Sequence, residues 1–369
     1  MDLRPIMTPS HYNRMVLSER PKTLANEQTL RKETVPFDLK PGLHEAVVKV
    51  IYNSIDPTQR IWMKDARSYF PPVQVGEVMR AVGLGVVVIP GPESSLKKGD
   101  YIAGTIGKSS GIHACRSYLL GFLGLQEYAL VKDDKVNKFD IIPGTELIDF
   151  LGPLGLTAGL TAYIGLFDIA KIKAGETLVV STAAGAVGSL VCQFAKKAGA
   201  RVIGIVGSDE KARWVENELG ADFVFNYKDP AWKEDFVKKV GYADAYFDNT
   251  GGDISAFIYT RMNTFGRVAF CGAISVYNSE DPAGLKNYLE IVMQRLTVQG
   301  FIIRLSIDHA SKFEEATKQI AAWLADGSIK RKYHVVEGLE NAAEAINLLF
   351  SGSNRGKVIL AVADPEAKI

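Results

Sequence analysis

Residues 178–188 read Leu-Val-Val-Ser-Thr-Ala-Ala-Gly-Ala-Val-Gly, and this stretch decides the fold. The apolar run Leu178–Ser181 is typical of a buried strand, and Ala183–Gly188 then brings two glycines spaced three apart. A helical pattern follows from Val187 to Ala198, and Gly199 suits its C-terminal cap. This arrangement lets backbone N–H groups approach a pyrophosphate at the helix N-terminus, so it favours a dinucleotide site. A purely structural turn is the alternative, because Ala183 stands where the usual pattern has its first glycine.

Strand and helix patterns alternate along the chain beyond residue 150. The further strands that we predict are Arg201–Val206, Phe223–Phe225, Ala243–Phe247, Arg267–Cys271 and Val298–Ile303. Buried apolar strands that alternate with helices indicate an α/β fold with a doubly wound parallel sheet of the Rossmann type.

The first 150 residues have a different character. Short β-rich runs are separated there by glycine and proline: Ala46–Tyr52, Gly83–Ile89, Asp100–Ile106 and Glu127–Val131. Such spacing predicts an antiparallel, barrel-like domain. A last strand pattern, Val358–Val362, needs a sheet to join and could return to this domain, which would make the domain discontinuous.

Composition limits the classes of function. The 369 residues suffice for about two domains, and 43 Lys and Arg against 42 Asp and Glu leave a net charge of +1, which attracts neither nucleic acid nor an anionic membrane. Cys115, Cys192 and Cys271 are too widely spaced for a disulfide framework or a four-cysteine zinc site. The polar start, Met1–Arg20, carries no secretory signal, and the uncharged stretch Thr177–Ala195 is too polar to span a membrane. We therefore expect a soluble, cytoplasmic protein.

The turn after the second strand of the α/β region indicates which dinucleotide binds. NAD sites usually place Asp or Glu at this point, but Val206 is followed by Gly207 and Ser208. Lys211 lies a few residues into the next helix, where it could reach a 2′-phosphate. The sequence thus predicts NADPH as the cofactor, and the alternative is that Lys211 is an ordinary solvated lysine.

Several segments together resemble a known family, and they follow one another in order over nearly the whole chain. They are Pro71–Arg80, Gly155–Tyr163, Ala183–Gly188, Gly207–Lys211, Phe247–Gly252, Cys271–Asn278, Gly300-Phe301 and Asn354–Lys357. On these segments the chain resembles the zinc-independent medium-chain dehydrogenases/reductases. More narrowly, it is similar to the NADPH-dependent alkenal double-bond reductases, also called leukotriene B4 12-hydroxydehydrogenases or prostaglandin reductases.

The resemblance implies a domain plan and a set of site residues. It implies a β-rich, GroES-like catalytic domain over residues 1–150, a Rossmann domain over 151–304 and a C-terminal return to the catalytic domain over 305–369. It places Tyr52 and Tyr277 against the substrate. The implied cofactor site consists of Ala184, Gly185, Val187, Gly188, Lys211, Tyr227, Asn249, Cys271, Gly272, Ala273, Ile274, Ser275, Tyr277, Phe301, Ile302, Ile303 and Asn354.

The implied reaction is the NADPH-dependent reduction of the C=C double bond of an α,β-unsaturated aldehyde or ketone, with hydride going to the β-carbon. Charge then builds on the carbonyl oxygen, and Tyr277 is the candidate catalytic residue that donates a hydrogen bond there. The proton for the α-carbon could come from Tyr277 or from water. Two alternatives stay open: a quinone reductase of the same superfamily, and an NADPH-binding protein without catalysis.

Three further expectations concern the metal, the assembly and the pocket. No metal is expected, because Asn53–Asp56 lacks the early cysteine of zinc enzymes and the five histidines are scattered. The resemblance implies a homodimer that pairs Val298–Ile303 across a two-fold axis. The chain departs from the family at Thr58 and Gln59, where Tyr and Met are common. It also departs in an apparent insertion over Gly107–Gly124, which contains His113, Cys115 and Arg116.

Overall fold

The computed structural model describes residues 9–104, 122–282, 284–303 and 312–363. Most of the predicted insertion over Gly107–Gly124, including His113, Cys115 and Arg116, lies outside the described residues.

Strands predominate in the first part of the described chain, and strands alternate with helices in the second. The strands are β1 His11–Leu17, β2 Leu30–Pro36, β3 Glu45–Ser54, β4 Gly83–Pro90, β5 Tyr101–Ala103, β6 Tyr128–Lys132, β7 Asn137–Lys138, β8 Thr177–Ser181, β9 Arg201–Val206, β10 Phe223–Asn226, β11 Ala243–Asp248, β12 Met262–Phe270, β13 Thr297–Gly300, β14 Tyr333–Glu337 and β15 Lys357–Ala361. The α-helices are α1 Thr58–Trp62, α2 Thr161–Ile164, α3 Ala186–Lys197, α4 Asp209–Asn217, α5 Trp232–Lys239, α6 Gly252–Tyr259, α7 Leu289–Met293, α8 Phe313–Ala325 and α9 Ala342–Ser351. Single π-helical turns, Leu156–Leu160 and Gly165–Ile169, flank α2.

The second half of the chain forms a parallel sheet in the order β10-β9-β8-β11-β12-β13. Its strands bury both faces, because successive side chains point to opposite sides. Leu178 and Val180 pack into one apolar cluster, with Phe194 of α3, while Val179 packs into another with Phe236 of α5. The predicted α/β class with a doubly wound parallel sheet is confirmed.

The first half forms an antiparallel sheet to which the end of the chain returns. Strands β3, β4, β5 and β7 follow one another in it, and β6 also pairs with β3. The last strand, β15, pairs antiparallel with β3 and parallel with β14, so residues at the end of the chain complete the first sheet. The discontinuous β-rich domain of the predicted fold class is thereby confirmed, while the boundaries at residues 150 and 304 stay predictions.

In the parallel sheet, two strands differ from their predicted limits by more than one residue. Strand β12 begins at Met262, five residues before the predicted Arg267, and it ends at Phe270. Strand β13 ends at Gly300 rather than at Ile303. Phe301, Ile302 and Ile303 leave the sheet edge and turn into a cavity, so their apolar character reflects a pocket wall rather than a strand.

Among the described helices, none has the length and apolar character needed to cross a lipid bilayer.

Candidate active site

The glycine turn after β8 leaves the N-terminus of α3 open to two adjoining cavities. Gly185 is the N-cap residue in an extended conformation, and no side chain caps the first turn of the helix. A side chain at position 188 would place its Cβ 2.3 Å from the backbone oxygen of Thr182, so glycine is needed for the helix to pack on the turn. Because both cavities are lined by Gly185, the free N–H groups of α3 lie where the cavities meet.

The smaller cavity has a volume of about 160 Å³ and lies beyond the ends of β8 and β9. Gly207, Lys211 and Tyr227 line it, and no carboxylate of the described residues does. The two acids nearby are engaged elsewhere: Asp209 accepts a hydrogen bond from Asn226 at 2.8 Å, and Glu210 pairs with Arg355 at 3.0 Å. The cavity therefore lacks the acidic group that would favour a free ribose 2′-hydroxyl.

Lys211 supplies the positive charge of this cavity. Ser208 caps α4 by accepting a hydrogen bond from the backbone N–H of Lys211, and the Lys211 Nζ donates to the backbone oxygen of Gly352 at 2.7 Å. Burial, together with the neighbouring Lys228, lowers the pKa of Lys211. A half-buried ammonium group beside open helix N–H donors fits a dinucleotide that carries a 2′-phosphate.

The larger cavity, of about 260 Å³, lies between the two sheets and has a mainly apolar wall. Three aromatic rings form one side of it: the ring of Trp62 lies 5.3 Å from Phe122 and 6.0 Å from Phe70. The Arg80 guanidinium stands behind this wall, 5.4 Å from the Trp62 ring centroid. Sequence reasoning missed these aromatic residues, because nothing local distinguishes them from core aromatics.

Tyr277 lies in the larger cavity with its hydroxyl held by its own loop. The backbone N–H of Ala273 donates to Tyr277 Oη at 3.1 Å, and burial raises the pKa of the phenol. The loop is fixed in turn on the residues that follow β11, since Ser275 donates from its hydroxyl to the Thr250 backbone oxygen at 2.6 Å. The phenol therefore stays protonated and can donate its O–H into the cavity, toward an oxygen that gains charge.

A second phenol, Tyr69, lines the same cavity and was not predicted. Its hydroxyl is hydrogen-bonded to the hydroxyl of Thr58, one of the two positions where the chain departs from the family pattern. Burial and the proximity of Tyr277 raise the pKa of Tyr69. The sequence feature that could have indicated Tyr69 is the threonine at position 58, because it is shorter than the tyrosine common in the family and brings a hydroxyl that can pair with a second hydroxyl.

The buried Asp248 carboxylate orders the turn that carries Asn249. It accepts hydrogen bonds from the Tyr246 and Ser255 hydroxyls and from the backbone N–H groups of Thr250 and Gly251. Asn249 in turn donates from Nδ2 to the backbone oxygen of Ser181 at 2.8 Å. These bonds tie the carboxyl ends of β8 and β11 together beside the larger cavity.

A buried ion pair lies on the opposite wall. Lys357 Nζ is 2.6 Å from Asp56 Oδ1 and also donates to the backbone oxygen of Ile55 at 2.9 Å. Both side chains line the larger cavity, and they come from opposite ends of the chain. The pair anchors the final strand on the segment that follows β3.

The structure brings most of the predicted site residues to the two cavities. The larger is lined by Gly185, Val187, Gly188, Asn249, Cys271, Gly272, Ile274, Tyr277, Phe301, Ile302, Ile303 and Asn354; the smaller by Ala184, Gly185, Lys211, Tyr227, Ile274, Ser275 and Asn354. Ala273 lines neither cavity and contributes its N–H to Tyr277 instead. Tyr52 packs against the apolar cluster that contains Leu151 and Ile359, outside both linings.

No metal-ligand group is found in the part of the chain that the structure describes: no three His, Cys, Asp or Glu side chains converge there. Cys271 lines the larger cavity, and burial together with Asp248 raises the pKa of its thiol to about 12. The described residues therefore do not fit a catalytic zinc ion.

Comparison with known proteins places this architecture in context. Residues 186–322 match the family model described as zinc-binding dehydrogenase, and residues 13–119 match that described as N-terminal domain of oxidoreductase. A Bacillus subtilis protein named as an NADP-dependent oxidoreductase, YfmJ, is 38% identical over 95% of this chain and 97% of its own. Prostaglandin reductase 1 of Bos taurus is 34% identical over 87% of this chain and 90% of its own. The crystal structure of CurA in complex with NADPH from Vibrio vulnificus is similar with a TM-score of 0.84 and 32% identity, covering 96% of this chain and 100% of that one.

Proposed function

This chain belongs to the medium-chain dehydrogenase/reductase family, and we propose that it reduces the C=C double bond of α,β-unsaturated aldehydes or ketones with NADPH. It is an oxidoreductase that uses NADPH, in line with the NADP-dependent YfmJ and with the CurA structure that contains NADPH. The finer assignment, to enals and enones, rests on one observation. A protonated phenol, Tyr277, faces an apolar cavity that adjoins the glycine turn and the N-terminus of α3.

The residues that would hold NADPH follow from the two cavities. The open N–H groups of α3 would bind the pyrophosphate, and Lys211 would bind the 2′-phosphate in exchange for its contact with the Gly352 backbone oxygen. Phe301 and Ile302 line the larger cavity and would pack beside the nicotinamide. When bound, NADPH supplies a hydride from nicotinamide C4 to the β-carbon of the substrate.

Tyr277 would then stabilise the charge that the reaction creates. As the β-carbon gains the hydride, the electrons of the double bond move onto the carbonyl oxygen and give an enolate. The phenol O–H is positioned to donate a hydrogen bond to such an oxygen, because its own oxygen accepts from the Ala273 backbone N–H. Return of a proton to the α-carbon, from Tyr277 or from water, gives the saturated carbonyl compound. The aromatic wall makes this part of the site apolar, which would disfavour water beside the reacting atoms.

A panel of candidate substrates tests the proposal directly. NADPH oxidation would be followed by absorbance with crotonaldehyde, benzylideneacetone and a quinone. In the reverse direction, NADP⁺ reduction would be followed with a simple alcohol. We expect turnover with the enal and the enone. Turnover confined to the quinone would support a quinone reductase, and NADPH binding without turnover of any compound would support a non-catalytic protein.

We further propose a homodimer that is built on the edge strand β13. All four residues of β13 are exposed, and the neighbouring helix α7 exposes Leu289, Val292 and Met293 by 62%, 70% and 63%. An unpaired edge beside such an apolar surface is typical of a protein–protein interface. Light scattering at micromolar concentration should give a dimer for the parent chain and a smaller species for Val292→Glu. A monomeric parent would contradict the proposal.

A further inference from the structure

Arg60 is the largest fully buried side chain of the β-rich half, and the site described so far does not use it. Its side chain is 2% exposed, although it carries a permanent charge. None of the described carboxylates forms an ion pair with it, and within the described residues its Nη1 has no hydrogen-bond partner. A buried guanidinium without an acid is costly, so its neutral partners call for an explanation.

Those partners are four oxygens from two distant parts of the chain. Nη2 donates to the backbone oxygens of Pro21 and Lys22 at 2.8 and 3.1 Å, and Nε donates to that of Thr23 at 2.9 Å. The fourth is the side-chain oxygen of Asn278, 2.9 Å from Nε. Asn278 directly follows Tyr277, the proposed catalytic phenol.

A second cation reaches the next residue of the same loop. Lys64 lies four residues after Arg60, just beyond α1, and its Nζ donates to the backbone oxygen of Ser279 at 3.1 Å. Between them, Arg60 and Lys64 hold the two residues that follow Tyr277. The cavity-lining residues of the same segment are Thr58, Ile61 and Trp62. One short helix therefore contributes to the substrate wall and fixes the loop that carries the phenol.

We propose that Arg60, assisted by Lys64, is a positioning residue that clamps the Tyr277 loop onto the substrate wall through Asn278. This inference rests on the proposed function, because it assigns Arg60 a role in placing the Tyr277 hydroxyl for the reaction. Within the described residues, the other hydrogen bonds that hold this loop come from the α/β domain, at Asp248, Asn249 and Thr250. Arg60 adds a hydrogen bond to this loop from the β-rich domain, through the side-chain oxygen of Asn278. A guanidinium suits this task, because its planar fork can reach four acceptors that a lysine could not bind together.

Asn278 offers the cleanest test, because Arg60→Ala would also release the Pro21–Thr23 segment and could prevent folding. Asn278→Ala removes the contact with the loop and leaves the other three. Asn278→Asp keeps an acceptor oxygen, now charged, opposite the guanidinium. The matched control is Asn263→Ala, which removes a bond of 2.7 Å to Asp244 at the far end of β11.

Two readouts are needed. The first is amide hydrogen exchange of residues 271–279 in the full chain without cofactor: Asn278→Ala should speed it about tenfold, whereas Asn278→Asp and Asn263→Ala should match the parent. The second is kcat with NADPH and benzylideneacetone. Because misplacement by about 1 Å can cost 10²-fold, kcat should fall about 10- to 100-fold in Asn278→Ala, with little change in the Kd for NADPH, and Asn278→Asp should restore it.

The outcomes separate the clamp from the proposed function. Parental exchange in Asn278→Ala overturns the inference, and so does faster exchange with parental kcat. If the parent chain does not reduce the enone at all, the proposed function fails, and the exchange result alone then supports or overturns the clamp.

Discussion

The two cavities that meet at Gly185 are built in different ways. On the cofactor side, the glycine turn, the end of β9 and Lys211 of α4 follow one another closely in sequence, although the loop around Ser275 and the segment from Leu349 to Asn354 also line this cavity. The substrate side is assembled from both ends of the chain: the Asp56–Lys357 ion pair joins them within the β-rich domain, and the Arg60–Asn278 contact links that domain to the α/β domain. The glycine turn and Lys211 are therefore recognisable from local sequence, whereas the substrate side depends on contacts between residues far apart in the chain.

The strongest test of the substrate side is Tyr277→Phe. Loss of one oxyanion donor typically costs about 10²–10³ in rate, so single-turnover hydride transfer to an enone should slow by that factor. The Kd for NADPH should stay near its parental value, because the ring remains. Since burial raises the pKa of Tyr277, the phenol should stay protonated above pH 10, the ordinary tyrosine pKa, so with NADPH saturating the rate of hydride transfer should not fall there through loss of this proton.

Tyr128→Phe is the matched control for this variant. Tyr128 is half-buried in the β-rich sheet, where its ring packs 5.0 Å from Phe37, and it lies outside both cavity linings. We expect no change in rate for the control. Parental hydride transfer in Tyr277→Phe would remove the phenol from the mechanism.

Gly188→Ala probes the cofactor side where it is most tightly packed. The added Cβ would lie 2.3 Å from the Thr182 backbone oxygen, so the turn must shift. Overpacking of this kind costs about 1–3 kcal/mol, which should appear in denaturant unfolding and as weaker NADPH binding. At Gly284, an added Cβ meets nothing within 4 Å, so Gly284→Ala should behave like the parent. If Gly188→Ala bound NADPH as tightly as the parent, the glycine turn would not be needed for the cofactor site.

This difference explains what the sequence could predict. Glycine at positions 185 and 188 has a local reason, since the chain must turn and let a helix approach, so the strand, turn and helix were predictable. Strand β13 was predicted too long because apolar residues 301–303 have the same pattern whether they extend a sheet or line a pocket. Tyr52 was expected to face the substrate, but it packs against Leu151 and Ile359. Trp62 and Tyr69 meet Tyr277 only through tertiary packing, which no local pattern records.

Lys211→Ala tests the proposed contact with the 2′-phosphate on the cofactor side. A charge-assisted contact contributes about 1.5–3 kcal/mol, so the Kd for NADPH should rise about tenfold or more while that for NADH hardly changes. Lys238→Ala makes the same change in net charge on an exposed helix and should have no effect. Equal affinity of the parent for NADH and NADPH would contradict the assignment of the 2′-phosphate to Lys211.

Removal of metal should have the smallest effect of all. We expect full activity after prolonged chelation with EDTA and no stoichiometric zinc in the purified protein, since the described residues bring no ligand set together. The measurement is elemental analysis alongside the enone assay. One zinc per chain together with inactivation by EDTA would overturn the assignment of charge stabilisation to Tyr277.

The central claim is that hydride goes to the β-carbon of a conjugated carbonyl compound, and product analysis tests it most directly. Benzylideneacetone would be reduced with NADPH that carries deuterium at the transferred position of C4, and the product examined by NMR. The product should be the saturated ketone with one deuterium on the β-carbon and none on the carbonyl carbon. An allylic alcohol with deuterium on the carbinol carbon would contradict it.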